Sequence, residues 1–316
     1  MSLVIAIKCS DGLVLAADSR SFSYHFNPEI PESDQTFFRD KSRKLFSFRS
    51  PYKIGVLSYD FHGVSVGIGA EEKEVAAELH KHSIDRCVQR FKKQLFRTPP
   101  KKSIKVCDFR NQLYRFLIRY WEYYQDKRRS AIDKMNQQVQ NRQSNQVESQ
   151  PRITLEVKLL VAGFNEGEQR GHVFPVWLTD DDEEWDGSHY RGTLDCVEMI
   201  PQTYGMFCGG VTDFVMPMLR ADEPREIIKN LQRGCTEAIV DELVTMKSHL
   251  NINYVAKQSQ PGFFSCDEIT AYEAQRLAQL LIKGTADFFG GKGAVGGPTR
   301  ICTINPLSGT KCRIRS

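Results

Sequence analysis

Two short apolar runs open the chain. Residues Leu3–Cys9 and Leu13–Asp18 are almost continuously apolar, and the polar turn Ser10-Asp11-Gly12 separates them. An Asp-Gly pair between two such runs is a strong signal for a β-hairpin. A strand with one solvated face alternates apolar and polar residues, whereas these two runs do not. The pattern therefore predicts a hairpin that is covered on both faces.

The region after the hairpin predicts a long excursion, two strands and two helices. Ser19–Lys41 is polar and contains two prolines, which indicates an excursion. Strands are predicted around Lys44–Phe48 and Tyr52–Ser58. Apolar residues at helical spacing then predict helices within Val64–Phe96 and over Phe109–Tyr124.

Beyond a Gln-, Asn- and Ser-rich tract, the chain returns to strands and then to helices. The predicted strands are Ile153–Phe164, His172–Leu178, Thr193–Ile200 and Tyr204–Phe207. The predicted helices are Val211–Leu219, Glu223–Leu250 and Asp267–Phe289. The two final strands are Thr299–Ile304 and Lys311–Arg315. Because hairpins and helices occur in separate groups, this order indicates an α+β fold and not a doubly wound sheet. We expect two antiparallel sheets packed together with a helix layer outside each. We expect one domain over residues 1–316, with polar inserts near 21–41 and 127–151.

The charge and hydrophobicity of the chain do not favour a nucleic-acid-binding or membrane protein. The formal net charge of +4 is small for 316 residues, and basic and acidic residues are interleaved. This predicts neither a nucleic-acid partner nor a membrane partner. No stretch approaches the ~20 apolar residues that a membrane helix needs. A soluble, cytoplasmic protein is expected.

Cysteines and acidic clusters indicate no metal site. The nine cysteines are scattered without a CxxC pair, which favours free thiols in a reducing cytosol over zinc ligands or a disulfide framework. The acidic run Asp180–Glu184 lacks a ligand spacing and is interpreted as a solvated turn. No metal and no cofactor are therefore predicted.

The candidate chemistry lies at the start of the chain. Met1-Ser2 leads straight into the first predicted strand, and removal of Met1 would leave Ser2 with a hydroxyl and a free α-amine. A hydroxyl becomes a nucleophile when a base takes its proton, and an α-amine has a reference pKa of about 8. The acid Asp18 ends the hairpin, and Lys44 begins a later predicted strand. Together these residues predict an N-terminal-nucleophile amidase.

At these residues the chain resembles the proteasome β subunits and their simpler bacterial relatives. Those proteins carry Thr, seldom Ser, as the nucleophile, followed by a similar hairpin that ends in Ala-Ala-Asp-Ser-Arg or a close variant. Ala16–Arg20 has this sequence, and the distance from Ser2 to Asp18 matches without a gap. The resemblance is specific over about 60 N-terminal residues and is at the level of the fold beyond them.

The resemblance implies a role for each of these residues. Ser2 would be the nucleophile, Asp18 the acid that orients the lysine, Lys44 the base that tunes the proton, and Arg20 the arginine that follows the acid. It also implies a four-layer αββα sandwich, the N-terminal-nucleophile hydrolase fold. The resemblance to the simplest members of the family implies that only Met1 would need removal.

Three departures from the family pattern alter the residues around this triad. The oxyanion position falls in Leu57–Asp60, where Tyr59 could donate its N–H but could also crowd a substrate. The family's Gly-Ser-Gly stretch appears as Cys208-Gly209-Gly210 and loses its hydroxyl. The last support segment appears as Lys292–Gly297 and keeps its glycines without the polar side chains.

The function implied is hydrolysis of amide bonds in a peptide or protein by an endopeptidase-like hydrolase. The relatives assemble into rings or spirals, so a homo-oligomer is expected, with a separate unfoldase or cap as a possible partner. Two alternatives remain. One is a catalytically inactive structural or assembly subunit, in which Asp18 and Lys44 survive as a buried ion pair. The other is a small-molecule amidase whose pocket is closed by Tyr59 and the Ser21–Lys41 excursion.

Overall fold

The computed structural model describes residues 2–24, 36–40, 42–48, 51–59, 84–97, 103–119, 137, 156–179, 197–222, 226, 237–257, 262–290, 293 and 295–315. The strands are β1 Leu3–Cys9, β2 Gly12–Ala17, β3 Ser21–Tyr24, β4 Thr36–Arg39, β5 Leu45–Phe48, β6 Ile54–Ser58, β7 Glu156–Phe164, β8 Gly171–Thr179, β9 Gly205–Gly210, β10 Asn253–Val255, β11 Phe263–Ser265, β12 Thr299–Asn305 and β13 Gly309–Arg315. The helices are α1 Ile84–Leu95, α2 over 106–119, α3 Val215–Arg220, α4 Glu237–His249 and α5 Ala271–Phe289.

The strands form two larger antiparallel sheets and one small one. The seven-stranded sheet has the order β10-β11-β9-β1-β2-β12-β13, and the four-stranded sheet has the order β5-β6-β7-β8. Strands β3 and β4 pair with each other in a two-stranded sheet of the described residues, and they lie within the excursion, where no strand was predicted. The molecule is therefore a mixed α/β protein with two antiparallel sheets, as the sequence predicts.

The predicted hairpin is confirmed, and it is the centre of the larger sheet. Strands β1 and β2 pair from Val4 opposite Ala17 to Cys9 opposite Gly12. Every residue of both strands is buried. Side chains alternate along β1: Leu3, Ile5 and Ile7 belong to one hydrophobic cluster, and Val4 and Ala6 belong to another. Each face of the hairpin thus has its own apolar partner.

The buried apolar side chains of the described residues form three clusters. The first lies between the seven-stranded sheet and helices α3, α4 and α5. The second joins the four-stranded sheet to α1 and α2. The third contains residues of both sheets and is the apolar layer between them. Ser2 extends β1 with the side-chain parity of Val4 and Ala6, so the alternation directs it toward this inter-sheet layer.

Several predicted boundaries are wrong, for local reasons. The last long helix begins at Ala271 and not at Asp267, because Thr270 and Glu273 form a capping box that starts it there. Residues 197–200 were predicted to end a strand but form none. The Met199 N donates to the Val173 O of β8 at 2.8 Å, and the neighbouring Glu198 side chain contacts the buried Lys8.

Two strands and one covalent bond were not predicted. Strands β10 and β11 are three residues each, too short to show a period of two. Cys107 is disulfide-bonded, so the expectation of free thiols throughout is wrong at this residue. Disulfide pairing depends on a tertiary distance that cysteine spacing does not reveal.

Other predictions fall outside the described residues. These are the helix before α1, the insert near 127–151 apart from residue 137, and the acidic run 180–184. No helix in the described ranges is long and apolar enough to cross a membrane.

Candidate active site

Ser2 is fully buried at the start of β1. Its carbonyl oxygen accepts a hydrogen bond from the Val211 N at 2.8 Å. Gly210, which has φ +87°, lies so close that a Cβ built on it would be 1.7 Å from the Ser2 oxygen. A glycine is therefore required for β9 to pass the N-terminal residue. Among the described residues, the Ser2 Oγ has no hydrogen-bond partner.

Asp18 is held by three backbone amides. Its Oδ1 accepts from the Leu3 N at 2.9 Å, and its Oδ2 accepts from the Arg20 N at 3.1 Å and the Gly296 N at 3.4 Å. The Asp18 N returns a bond to the Leu3 O at 3.3 Å, which continues the hairpin ladder. This fully buried carboxyl group therefore lies in a cage of donors suited to an ionised carboxylate.

Lys44 completes the charge pair. Its Nζ lies 2.9 Å from the Asp18 Oδ1 and 3.0 Å from the Oδ2, and it also donates to the Arg20 O. The lysine is fully buried, and burial lowers its pKa below the ordinary value, against the opposing attraction of Asp18. Ser58 in β6 fixes the backbone, because its N donates to the Lys44 O at 2.8 Å. The lowered pKa makes this ammonium a stronger acid than that of an exposed lysine.

Arg20 supports the pair from outside. Its Nε and Nη2 bond the Asp40 carboxylate at 2.6 and 3.0 Å, and its Nη1 donates to the Gly293 O at 3.2 Å. Ser19 also bonds this segment, from its N to the Gly296 O at 3.2 Å. Asp40 was missed, because it lies in the excursion for which no structure was predicted.

Tyr59 and Gly209 lie deeper between the sheets. The Tyr59 N already donates to the Lys158 O at 3.0 Å, which uses the N–H predicted to serve an oxyanion. The side chain is buried, and its hydroxyl accepts from the Trp177 Nε1 at 3.0 Å. A Cβ on Gly209 would lie 2.7 Å from the Tyr59 ring, so this glycine makes room for the tyrosine.

The structure brings the three predicted residues into one buried cluster. Asp18 and Lys44 contact each other directly. Ser2 is connected to them through its neighbour Leu3, whose amide bonds Asp18. Gly210 and Arg20 border this cluster, whereas Tyr59 and Gly209 pack in the inter-sheet layer. The catalytic roles of all these residues remain predictions.

A second buried lysine lies at the other end of β1. The Lys8 ammonium is bonded to Glu198, which also contacts Arg170 at 3.3 Å and the His172 Nδ1 at 3.8 Å. The His172 Nε2 contacts Glu168 at 2.6 Å. We call these five residues the Lys8 cluster. Its members are polar residues far apart in the chain, so no local sequence pattern predicts it.

Several residues of the Lys8 cluster have shifted pKa values. Glu198 and Glu168 raise the pKa of His172 above its ordinary value, against burial, and the Glu168 contact is the shorter. Burial would raise the pKa of Glu198, but His172 and Lys8 outweigh it and lower that pKa. Burial lowers the pKa of Lys8. Within the described ranges, no group of three or more acidic, histidine or cysteine side chains is arranged to hold a metal ion.

Comparison with known proteins identifies no family for this chain and a solved structure of low similarity. No protein-family model matches the chain, and no curated protein sequence matches it. Among solved structures, the chain is similar to the Anbu (Gly-1) mutant from Hyphomicrobium sp. strain MC1, with 14% identity and a TM-score of 0.46. The match covers 100% of this chain and 87% of that chain. With an identity and a TM-score this low, the match carries no argument about function.

Proposed function

We propose that this protein is an N-terminal-nucleophile hydrolase of the proteasome-like class that cuts amide bonds through Ser2. The observation that carries the proposal is the fully buried Asp18–Lys44 pair, bonded to the amide that directly follows a buried serine with an unpartnered hydroxyl. The three hydrophobic clusters support the finer proposal of a four-layer αββα sandwich.

The proposed reaction begins with removal of Met1, which frees the Ser2 α-amine. The amine takes the Ser2 hydroxyl proton as the Oγ attacks the substrate carbonyl carbon. Collapse of the tetrahedral intermediate breaks the C–N bond, and the leaving amine receives the proton. Water then attacks the resulting ester, releases the acid and restores the hydroxyl. Lys44, with its lowered pKa, would tune the proton exchange, and Asp18 would hold Lys44 in place.

The substrate, assembly and location follow from the resemblance and are proposals too. A peptide or protein substrate, a homo-oligomeric ring or spiral and a separate unfoldase would suit a proteasome-like hydrolase, and no cofactor is needed by this chemistry. A cytoplasmic location would suit the same class.

A specific observation favours the inactive structural subunit as the second candidate. Ser2 has no exposed surface, and the Tyr59 N–H is bonded to Lys158 and is not available to an oxyanion. In that case Asp18 and Lys44 would hold the sheets together and nothing more. The two candidates differ in whether Ser2 reacts.

The intact mass of the untagged protein distinguishes them, measured before and after a β-lactone probe. The hydrolase predicts loss of Met1 and a covalent adduct that is absent in Ser2→Ala and retained in Ser10→Ala, which alters a serine of the β1–β2 turn. Retained Met1 with no adduct would refute the hydrolase proposal. An adduct that persists in Ser2→Ala would assign the reactivity to another residue.

A further inference from the structure

Cys302 and Cys312 lie directly opposite each other on neighbouring strands of the larger sheet. The antiparallel register of β12 and β13 pairs Cys302 with Cys312, and β13 is the last strand in the sheet order. Directly opposite residues of an antiparallel pair have Cα atoms about 4.5 or 5.5 Å apart. A disulfide spans Cα distances of about 4.4–6.8 Å. The register therefore places the two sulfur atoms where a bond between them can form without a change in strand pairing.

The two thiols differ in what can reach them. Neither cysteine belongs to a disulfide in this structure. Cys302 is fully buried in the apolar layer that contains residues of both sheets. Cys312 is exposed and lines a cavity of about 270 Å³ beside β5. A dissolved oxidant therefore meets Cys312 before it meets Cys302.

The two side chains also contact each other through a hydrogen bond. This contact and burial raise the pKa of the Cys302 thiol well above its usual value. Cys302 thus keeps its proton, and the exposed Cys312 is the member of the pair that ionises first. Because the thiolate is the nucleophile in thiol oxidation, we expect the reaction to begin at Cys312.

Three other described cysteines are poorer candidates for oxidation. Burial raises the pKa of Cys266 to about 12, and it raises the pKa values of Cys9 and Cys208 well above the usual range. A buried thiol with a raised pKa is inert, because little of it is thiolate near neutral pH. Oxidation is therefore expected to select the Cys302–Cys312 pair among these residues.

We infer that Cys302 and Cys312 form a reversible cross-strand disulfide when hydrogen peroxide oxidises Cys312. The Cys312 thiolate attacks a peroxide oxygen, the O–O bond breaks, and the leaving hydroxide takes up the thiol proton as water; a sulfenic acid remains. The Cys302 sulfur then attacks the Cys312 sulfur, the S–O bond breaks, and a second water departs with the Cys302 proton. Two electrons pass from the thiols to the peroxide, and a small dithiol reverses the change by exchange.

Tryptic mapping of the full chain tests this inference, because trypsin cuts between the two cysteines. Cleavage at the surrounding basic residues leaves Cys302 in the peptide Ile301–Lys311 and Cys312 in the dipeptide Cys312-Arg313. The reduced protein is treated with hydrogen peroxide, its remaining thiols are alkylated, and it is digested without reductant. We expect mass spectrometry to show the two peptides linked, and we expect dithiothreitol to remove the link.

Matched variants locate the chemistry. Cys312→Ser should abolish the linked peptide and leave Cys302 unoxidised. Cys302→Ala should stop the reaction at the sulfenic acid of Cys312, which dimedone traps. Cys266→Ser removes a thiol outside the pair and should leave the yield of linked peptide unchanged. Cys312 is exposed, so its variant is expected to fold even if the variant of the buried Cys302 does not.

Four results would overturn the inference. These are no linked peptide after peroxide treatment, a link from either cysteine to a different one, a link that dithiothreitol does not remove, or a dimedone adduct on Cys302 in Cys312→Ser. The last would show that the buried thiol reacts first. None of these results depends on whether Ser2 is a nucleophile.

Discussion

Lys44 and Lys8 lie at opposite ends of the interior between the two sheets, and each meets one carboxylate. Ser2 and Lys8 have the same side-chain parity on β1 and are six residues apart, which is roughly 20 Å along a strand. At the Lys44 end, both Asp18 and Lys44 are fully buried, and three backbone amides hold the carboxylate. At the Lys8 end, Glu198 is partly exposed and shared among Lys8, Arg170 and His172.

The two ion pairs differ in how firmly their carboxylates are held and in how far water reaches them. Among the described residues, Asp18 bonds backbone amides and one lysine, so neither its position nor its partners adjust easily. Glu198 retains two cationic partners if Lys8 is lost, and water reaches it. A rigid ion pair that is buried from solvent suits proton transfer, whereas a partly exposed ion pair with several partners suits a structural link between strands. The candidate active site is therefore placed at the rigid end.

Removing the carboxylate at each end should give the largest contrast. Asp18→Asn leaves the Lys44 ammonium buried without a counter-charge, and such changes cost about 3–5 kcal/mol of unfolding free energy. Glu198→Gln should cost about 1 kcal/mol, because Lys8 keeps a polar partner near solvent. Urea denaturation of both variants and the wild type measures the difference. Equal losses would contradict the distinction between a rigid and an adaptable end.

The sequence predicts the rigid end far better than the adaptable one, for a physical reason. Ser2 and Asp18 belong to one hairpin, whose register follows from the turn and the apolar pattern, and the resemblance singles out Lys44. Lys8 and Glu198 are 190 residues apart, and no local pattern connects them. Their pairing depends on how the segment before β9 packs against β8, which periodicity does not reveal.

The same limit applies to the fold. The buried hairpin and the order of the long elements were predicted, because apolar period and turn residues are local signals. Strands β3, β4, β10 and β11 were not, because each is short and is ordered by its partner strand. Asp40 was missed with β4, and its bond to Arg20 became visible only in three dimensions.

Replacing each lysine by methionine should give a smaller contrast of the same sign. Lys44→Met leaves the Asp18 carboxyl group buried without its counter-charge, although its three amide donors remain, so we expect a loss of about 3 kcal/mol. Lys8→Met should cost less than about 1 kcal/mol, because methionine fills the buried position and Glu198 keeps its other partners. Both values come from urea denaturation. A costlier Lys8 variant would mean that the Lys8 cluster is the stronger one.

Two glycine-to-alanine variants compare the backbone constraints at the Lys44 end and at the Lys8 end. Gly210→Ala would force a Cβ against the Ser2 carbonyl at φ +87°, so we expect a loss of about 2–3 kcal/mol and displacement of Ser2. Gly167→Ala, in the turn beside the Lys8 cluster, has φ +79° and open space, so it should cost about 1 kcal/mol from backbone strain alone. Thermal unfolding compares the two. A Gly210 variant as stable as the Gly167 variant would refute the close approach to Ser2.

The smallest expected effect is a pH dependence confined to the Lys8 cluster. The folded-state pKa of His172 is raised above its unfolded value of about 6.5, so protonated His172 stabilises the fold below pH 6.5 and this contribution is lost as the pH rises through the raised pKa. Glu168 and Glu198 have lowered pKa values and stay ionised throughout that window. Because Glu168 is half-exposed, the contribution should be less than about 1 kcal/mol.

His172→Gln should flatten this part of the stability profile in urea, whereas Lys44→Met should keep it, since Lys44 titrates apart from the cluster. If Lys44→Met flattened the profile as well, the two ends would be electrostatically coupled and could not be treated as separate sites.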